Sequence, residues 1–231
     1  MKSDGTVVAW GNSQTNVPAG LTNIIAIACG SHSLALRADG TVVAWGDNSS
    51  GQANVPVGLT NVVAIAGGVM NSLALRSDGR VIGWGDTRVP EQITNTVAIA
   101  SGGDICLAAR ADGTVSFWYY GLYFINPGGP PASLTNVVAI ATKRFPGDGL
   151  ALIAGGAPLL TTALTDVVRS GATFSVTLQS QSGSVYALEF KDSLTDNRWT
   201  ALPLVAGNNR LLRLSDTTAT VAQRFYRVRR W

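Results

Sequence analysis

The residues of this 231-residue chain that could do acid–base, thiol or metal chemistry are few: a single histidine, His32, two cysteines, Cys29 and Cys106, and an aspartate that recurs at Asp4, Asp39, Asp78 and Asp112. A nucleophilic triad needs an acid and a nucleophile arranged around the histidine, and the sequence positions neither. The slot of His32 in later copies of a repeat described below holds Asn71 and Ile105, so His32 reads as a structural side chain. Each recurring aspartate precedes a glycine. Asp-Gly is the pair that a tight hairpin needs, because Gly adopts positive φ freely and Asp tolerates it. The aspartates therefore read as turn residues. The cysteines form no Cys-x-x-Cys pair and read as small buried apolar side chains. Phosphate-loop, dinucleotide and His-Glu-x-x-His motifs are absent. The expectation is a chain with no catalytic, cofactor-binding or metal-binding residues, hence not an enzyme.

Binding chemistry has more support. The run Tyr119-Tyr120-Gly121-Leu122-Tyr123-Phe124 stands where the other copies carry Gly-Asp-Asn or a similar polar turn. Tyr and Phe offer large contact area at low entropic cost, so Tyr119, Tyr120, Tyr123 and Phe124 are candidate protein-binding residues. The same run could instead pack against the C-terminal part of the chain. An inserted loop, Lys143-Arg144-Phe145-Pro146-Gly147-Asp148, adds Lys143, Arg144 and Phe145 as candidates. Near the C-terminus lie Arg210, Arg213, Arg224, Arg227, Arg229 and Arg230. On alternating strand positions they read as a solvated face, with an anionic surface or polymer as the alternative. Phe225, Tyr226 and Trp231 are too few to stack a nucleic acid, so no nucleic-acid partner is expected.

These residues are carried on a repeat. DGTVVAWG begins at Asp4 and Asp39, DGRVIGWG at Asp78 and DGTVSFWY at Asp112, so that Trp10, Trp45, Trp84 and Trp118 share one slot. A second phrase begins at Asn23 (NIIAIACG), Asn61 (NVVAIAGG), Asn95 (NTVAIASG) and Asn136 (NVVAIAT). Between the two lie SLALR at Ser33 and Ser72, CLAAR at Cys106 and GLALI at Gly149. Each unit reads as three short strands with the Asp-Gly turn between the second and third. The Trp suits the wedge between neighbouring sheets. Short antiparallel sheets repeated without helical period make an all-β fold, a β-propeller of about four three-stranded blades.

The motif NVVAIA…SLALR.DGTVVAWGDN..GQ..VP resembles the regulator of chromosome condensation repeat family, over residues 1–157, and its short unit resembles the bacterial type found in the propeller-type β-lactamase inhibitor protein. The resemblance implies a propeller that engages protein partners through loops at one end of its ring. It implies no catalytic residues. Guanine-nucleotide exchange and chromatin binding, known in the wider family, do not carry over, since no motif residues for either match.

The family's ring has more units than this chain supplies, so the expectation is a partial or truncated ring, a four-blade arc, in preference to a closed four-blade ring. Val137–Ala141 and Leu150–Ile153 would be first and second strands of a last blade, and Val7–Trp10 a third strand that could complete it. Because Met1-Lys2-Ser3-Asp4-Gly5 overlays Leu75-Arg76-Ser77-Asp78-Gly79, lost upstream repeats are expected.

From 158 to 231 the pattern changes to longer strands with polar turns, at Thr173–Gln179, Val185–Lys191, Trp199–Leu202, Arg210–Leu214 and Arg224–Arg229. This reads as a small antiparallel β-sandwich-like domain, faintly similar to immunoglobulin-like or fibronectin-like modules of secreted bacterial proteins. Residues up to Ala157 carry eight basic and nine acidic side chains and the remainder nine and five, so the net charge of +3 resides in the tail. No apolar run approaches the roughly 20 residues of a membrane span, and the N-terminus lacks the apolar core of a signal peptide. The first expectation for function is a non-catalytic scaffold with a protein partner. An extracellular carbohydrate or cell-envelope module comes second, with a glycan as partner, and a propeller hydrolase or lyase last. An extracellular or envelope location is favoured for a full-length parent.

Overall fold

The computed structural model describes residues 6–10, 16–103, 105–119, 130, 134, 137–142, 149–153, 164–181, 183–193, 195–196, 198–208, 210–220 and 224–231. Among these there are strands and no helix. Blade 1 comprises β1 (Ile24–Cys29), β2 (His32–Arg37) and β3 (Val42–Gly46); blade 2 comprises β4 (Val62–Gly67), β5 (Asn71–Arg76) and β6 (Val81–Gly85). Blade 3 is built from β7 (Thr96–Gly102), β8 (Ile105–Arg110) and β9 (Val115–Tyr119), and blade 4 from β10 (Val137–Thr142) and β11 (Gly149–Ile153). Every pairing within a blade is antiparallel and sequential. First strands pack on the first and second strands of the preceding blade, which arrays the blades as a propeller arc with β1, β4, β7 and β10 innermost.

One irregularity is common to all four blades. The ladder between first and second strands slips after the first residue, at Ile24/Ala26, Val62/Ala64, Thr96/Ala98 and Val137/Ala139. The residue passed over is β-branched each time: Ile25, Val63, Val97 and Val138. A bulge lets two consecutive side chains turn inward where strict alternation would expose one. Accordingly Ile24 and Ile25, Val62 and Val63, and Thr96 and Val97 are all buried.

The blades are stitched to one another through the Asp-Gly turns. Gly40, at φ +79°, accepts a hydrogen bond through its carbonyl from the amide of Val62, 3.1 Å away in the next blade. The same bond runs from Thr96 to Gly79 and from Val137 to Gly113. Asn23, Asn61 and Asn95, which open the first strands, sit at φ 55–58° and accept from the amides of Ala38, Ser77 and Ala111. Asn is one of the few side chains that tolerates this backbone region, which accounts for its recurrence.

Between blades the core is repetitive. Leu34, Leu36, Ala26 and Ala28 on the forward face of blade 1 meet Val62, Ile65, Ala74 and Trp84 on the back face of blade 2. Leu73 and Leu75 of blade 2 join Ala108 and Trp118 of blade 3 in the next cluster. Trp84 and Trp118 are buried as the repeat implies, and each indole Nε1 donates into the loop entering its own blade, to the Gln52 carbonyl at 2.8 Å and to Thr87 Oγ1 at 3.2 Å. Trp10 departs from the pattern. It is 85% exposed, and residues 6–10 form no strand, because Val7 lies on the back face of blade 1 with Ala35, Val43 and Trp45 rather than beside β11.

The tail forms two antiparallel sheets. One orders β12 (Leu164–Ser170), β13 (Thr173–Gln179) and β17 (Leu211–Asp216). The other joins β14 (Val185–Lys191) to β15 (Thr200–Ala201), β16 (Val205–Ala206) and β18 (Phe225–Arg230). Side chains from both sheets share one cluster containing Val176, Leu178, Tyr186, Leu188, Leu212 and Leu214. The expected strands coincide with β13 and β14, lie within two residues of β15, β17 and β18, and leave out β12 and β16.

Candidate functional site

Strand direction divides the arc into two rims. The Asp-Gly turns, where second strands end and third strands begin, lie on one; the turns between first and second strands, and the ends of the third strands, lie on the other. A five-residue strand such as β9 separates the rims by about 16 Å.

The Asp-Gly rim is structural. Asp39 accepts hydrogen bonds from the Thr41 amide at 2.9 Å and the Thr41 hydroxyl at 2.6 Å, and these hold its carboxyl below the usual range. Asp112 accepts the equivalent pair from Thr114; burial opposes the ionised form there, and the two bonds outweigh it. Asp78 caps the amide of Arg80 at 3.1 Å, and Asp4 lies outside the described residues. Onto this rim dock the tail sheets. The Leu204 amide donates to the Ser77 carbonyl at 2.9 Å, and Arg229 donates through Nη1 to the Ala111 carbonyl at 3.0 Å. Val185, Ala187 and Leu204 are buried in the cluster that holds blades 2 and 3 together. Glu189, buried, anchors the arrangement by pairing with Arg227 and, at 3.7 Å, with Arg229. The C-terminal arginines are thus largely engaged: Arg224 pairs with Asp192 and Asp216, and Arg230 donates to Gln181.

The opposite rim carries the exposed candidates. Tyr119 ends β9 and is 44% exposed, on the side away from the tail. Met70, in the turn between β4 and β5, is also 44% exposed. Tyr120, Tyr123, Phe124, Lys143, Arg144 and Phe145 lie outside the described residues. The chain leaves β10 at Thr142 and enters β11 at Gly149 on this same rim. Met70 escaped the sequence reading because one Met in a Gly-rich turn, Gly67-Gly68-Val69-Met70, has no counterpart to compare it with.

Just beneath this rim runs a buried polar chain between blades. The Ser72 hydroxyl donates to the Gln52 carbonyl at 2.8 Å, so His32 Nε2, 2.6 Å from Ser72 Oγ, must be the donor in that bond. Nδ1 is left unprotonated and has no partner among the described residues. Burial therefore pushes the His32 pKa down, with the charge of Asp47 opposing. Gln52, wholly buried, also donates through Nε2 to Asp47 at 3.0 Å. One blade on, Asn71 holds the slot of His32 and accepts from Ser101 Oγ at 2.6 Å, while Ile105 fills the slot in blade 3. His32 is an inter-blade strut, as its lone occurrence in the repeat suggests.

The cysteines divide. Cys106 is buried beside Ser101 and Asn71, whereas Cys29 is exposed, contrary to the sequence expectation, because its side chain lies on the back face of blade 1, the open end of the arc. Among the described residues no three His, Cys, Asp or Glu side chains gather where they could hold a metal.

Three-stranded antiparallel sheets of this kind, joined face to face, define a β-propeller. Residues 24–52 match the family model described as Regulator of chromosome condensation (RCC1) repeat, and the chain carries a repeat of that family. Comparison with curated proteins finds no match. Among solved structures, yeast RCC1 (Prp20) bound to Kap60 is 16% identical with a TM-score of 0.45, covering 68% of this chain and 44% of that one. Prp20p from Saccharomyces cerevisiae, in a structure described with its binding properties to Gsp1p and histones, is 15% identical with a TM-score of 0.44, covering 73% and 48%. The CRINKLY WD40 ectodomain of the Arabidopsis thaliana receptor kinase ACR4 is 18% identical with a TM-score of 0.42, covering 84% and 73%. The chain spans less than half the length of the two yeast structures.

Proposed function

We propose that this chain is a non-catalytic scaffold that holds a protein partner on the rim opposite the tail sheets, with residues 158–231 serving as an appended sandwich-like unit. The observation that supports this reading is the asymmetry of the two rims. Tail side chains cover the Asp-Gly turns of blades 2 and 3, while the other rim presents Met70 and Tyr119, each 44% exposed, above a buried polar chain that fixes the loops beneath them. Loops on a rigid scaffold are where recognition residues concentrate, and Met and Tyr are enriched at interfaces. The polar groups that could do chemistry are committed to structure: Asp39 and Asp112 to turns, His32 and Gln52 to the joint between blades.

The test is to identify a protein retained by the immobilised chain, purify it and titrate it. Changing Met70 and Tyr119 together to alanine should weaken that binding by about tenfold or more while leaving Tm nearly unchanged. Alanine at Tyr120, Tyr123 and Phe124 should act in the same direction. Binding indifferent to these changes would remove this rim from consideration.

A further inference from the structure

The two ends of the arc are complementary halves of one more joint. Within the chain, each joint sets the forward face of one blade against the back face of the next, as Ala26 and Ala28 of blade 1 meet Ile65, Ala74 and Trp84 of blade 2. Blade 4 offers the same forward face, and there Ala139 and Ala141, the counterparts of Ala26 and Ala28, are exposed. Blade 1 offers the same back face, and there Ile27, the counterpart of Ile65, is 46% exposed. It borders a cleft of about 300 Å³ lined also by Val8, Trp10, Cys29 and Trp45.

Among the described residues the last blade has two strands, and the other end of the arc carries the sequence of a third. Blades 1 to 3 have three strands, whereas β11 pairs only with β10 among the described residues. Ala151 of β11 is exposed, while its counterparts Ala35, Ala74 and Ala108 are 0% exposed. Residues 7–10, Val-Val-Ala-Trp, repeat the third-strand sequence Val42-Val43-Ala44-Trp45 without variation. They lie on the back of blade 1 with Val8 49% and Trp10 85% exposed, as the outermost strand of a preceding blade would lie if its two inner strands were taken away. The β2–β3 register, Leu36↔Val42, Ala35↔Val43, Leu34↔Ala44 and Ser33↔Trp45, transposes directly. It pairs Val7 with Leu152, Val8 with Ala151, Ala9 with Leu150 and Trp10 with Gly149.

We infer that two copies of this chain associate head to tail: Val7–Trp10 of each adds to β11 of the other as its third strand, and the forward face of blade 4 docks on the back face of the other copy's blade 1. The partner is a second copy because the joint it would form already occurs three times within the chain, and because Ala139, Ala141 and Ala151 on one face and Ile27 on the other are all exposed. Two such joints related by a twofold axis close the assembly, leaving no blade with an open face.

The purified full chain should have a mass about twice 24.0 kDa by light scattering. In a Cys29→Ser background, co-expressed Val8→Cys and Ala151→Cys chains should be joined to each other by oxidation or a short thiol cross-linker, with neither variant joined to itself. Both substitutions fall on exposed side chains, so folding is not at stake. Trp10→Asp should halve the mass while far-ultraviolet circular dichroism keeps its strand signature, and should remove any dependence of Tm on protein concentration. A monomeric mass, or a chain carrying both cysteines that links within itself, would overturn the inference. So would a dimer in which residues 8 and 151 fail to link across copies.

Discussion

Gly40 meets two demands at one atom. Its φ of +79° costs an L-residue about 1–2 kcal/mol, and a Cβ there would fall 3.2 Å from the backbone of Asn61 and Val62, in the blade to which its own carbonyl is bonded. Gly20 has the same backbone geometry, φ +73°, with nothing within 4 Å of the added carbon. Alanine at Gly20 should therefore register the backbone cost alone, and alanine at Gly40 that cost plus the displacement of the next blade, a further loss of about 1 kcal/mol or more in urea denaturation. Equal losses would mean that the joint yields freely. The Asp-Gly pair was legible as a turn because hairpin chemistry is local. Its second role was not, since nothing in a turn announces which distant amide its carbonyl will meet.

At the scale of elements, the tail sheets dock through a buried apolar surface and, among the described residues, through the bonds of Leu204 to Ser77 and of Arg229 to Ala111. Arg229 is the replaceable member, because Arg227 remains to pair with Glu189. Arg229→Ala should free the contact at Ala111 and raise hydrogen exchange at the Leu204 amide by about tenfold, the equivalent of one charge-assisted hydrogen bond, while amides within β14 and β18 keep their protection. A uniform rise through both sheets would instead assign Arg229 to tail folding. Which tail strands the sequence disclosed follows from burial. β17 alternates exposed and buried along its length, and period-2 patterning finds such strands. β12 is exposed at every residue, so Leu164-Thr165-Asp166-Val167-Val168 carries no contrast between faces to read, and β16 has only two residues. The docking face was equally hidden, since Val185, Ala187 and Leu204 look like ordinary core residues until the surface they cover is known.

For the whole molecule, acid acts first at His32 and, at lower pH, at the hydrogen-bonded carboxylates, of which Asp216 is lowered furthest. His32 is buried with Nδ1 facing no acceptor and its pKa lowered, so the folded chain refuses a proton that the unfolded chain takes up near pH 6.5. Stability is thus full above that value and declines as pH falls below it. At Asp216 burial favours the neutral acid, but bonds from Thr218, Arg224 and Tyr226 outweigh it and hold the pKa at about 2, so its contribution is present above about pH 4 and lost between there and pH 2. Thermal melts from pH 7 to 2 should show both declines, and His32→Asn, the residue blade 2 uses at that slot, should abolish only the upper one. An upper decline that survives the substitution would place its origin elsewhere. The arc itself was the most legible feature, because four imperfect copies expose what is held in common. Its open ends were legible too, as a shortage of repeats, but the resting place of Val7–Trp10 on the back of blade 1 was not, since copies that look alike in sequence differ only in what neighbours they find.

The attachment points at Ser77 and Ala111 straddle the junction of blades 2 and 3. In an array where each unit touches chiefly its neighbours, a splint across the middle makes a stiff hub with two compliant arms. In a separate copy breathing would start at the outer blades and stop at the hub, so seating those blades on a second copy would stiffen the parts that move most.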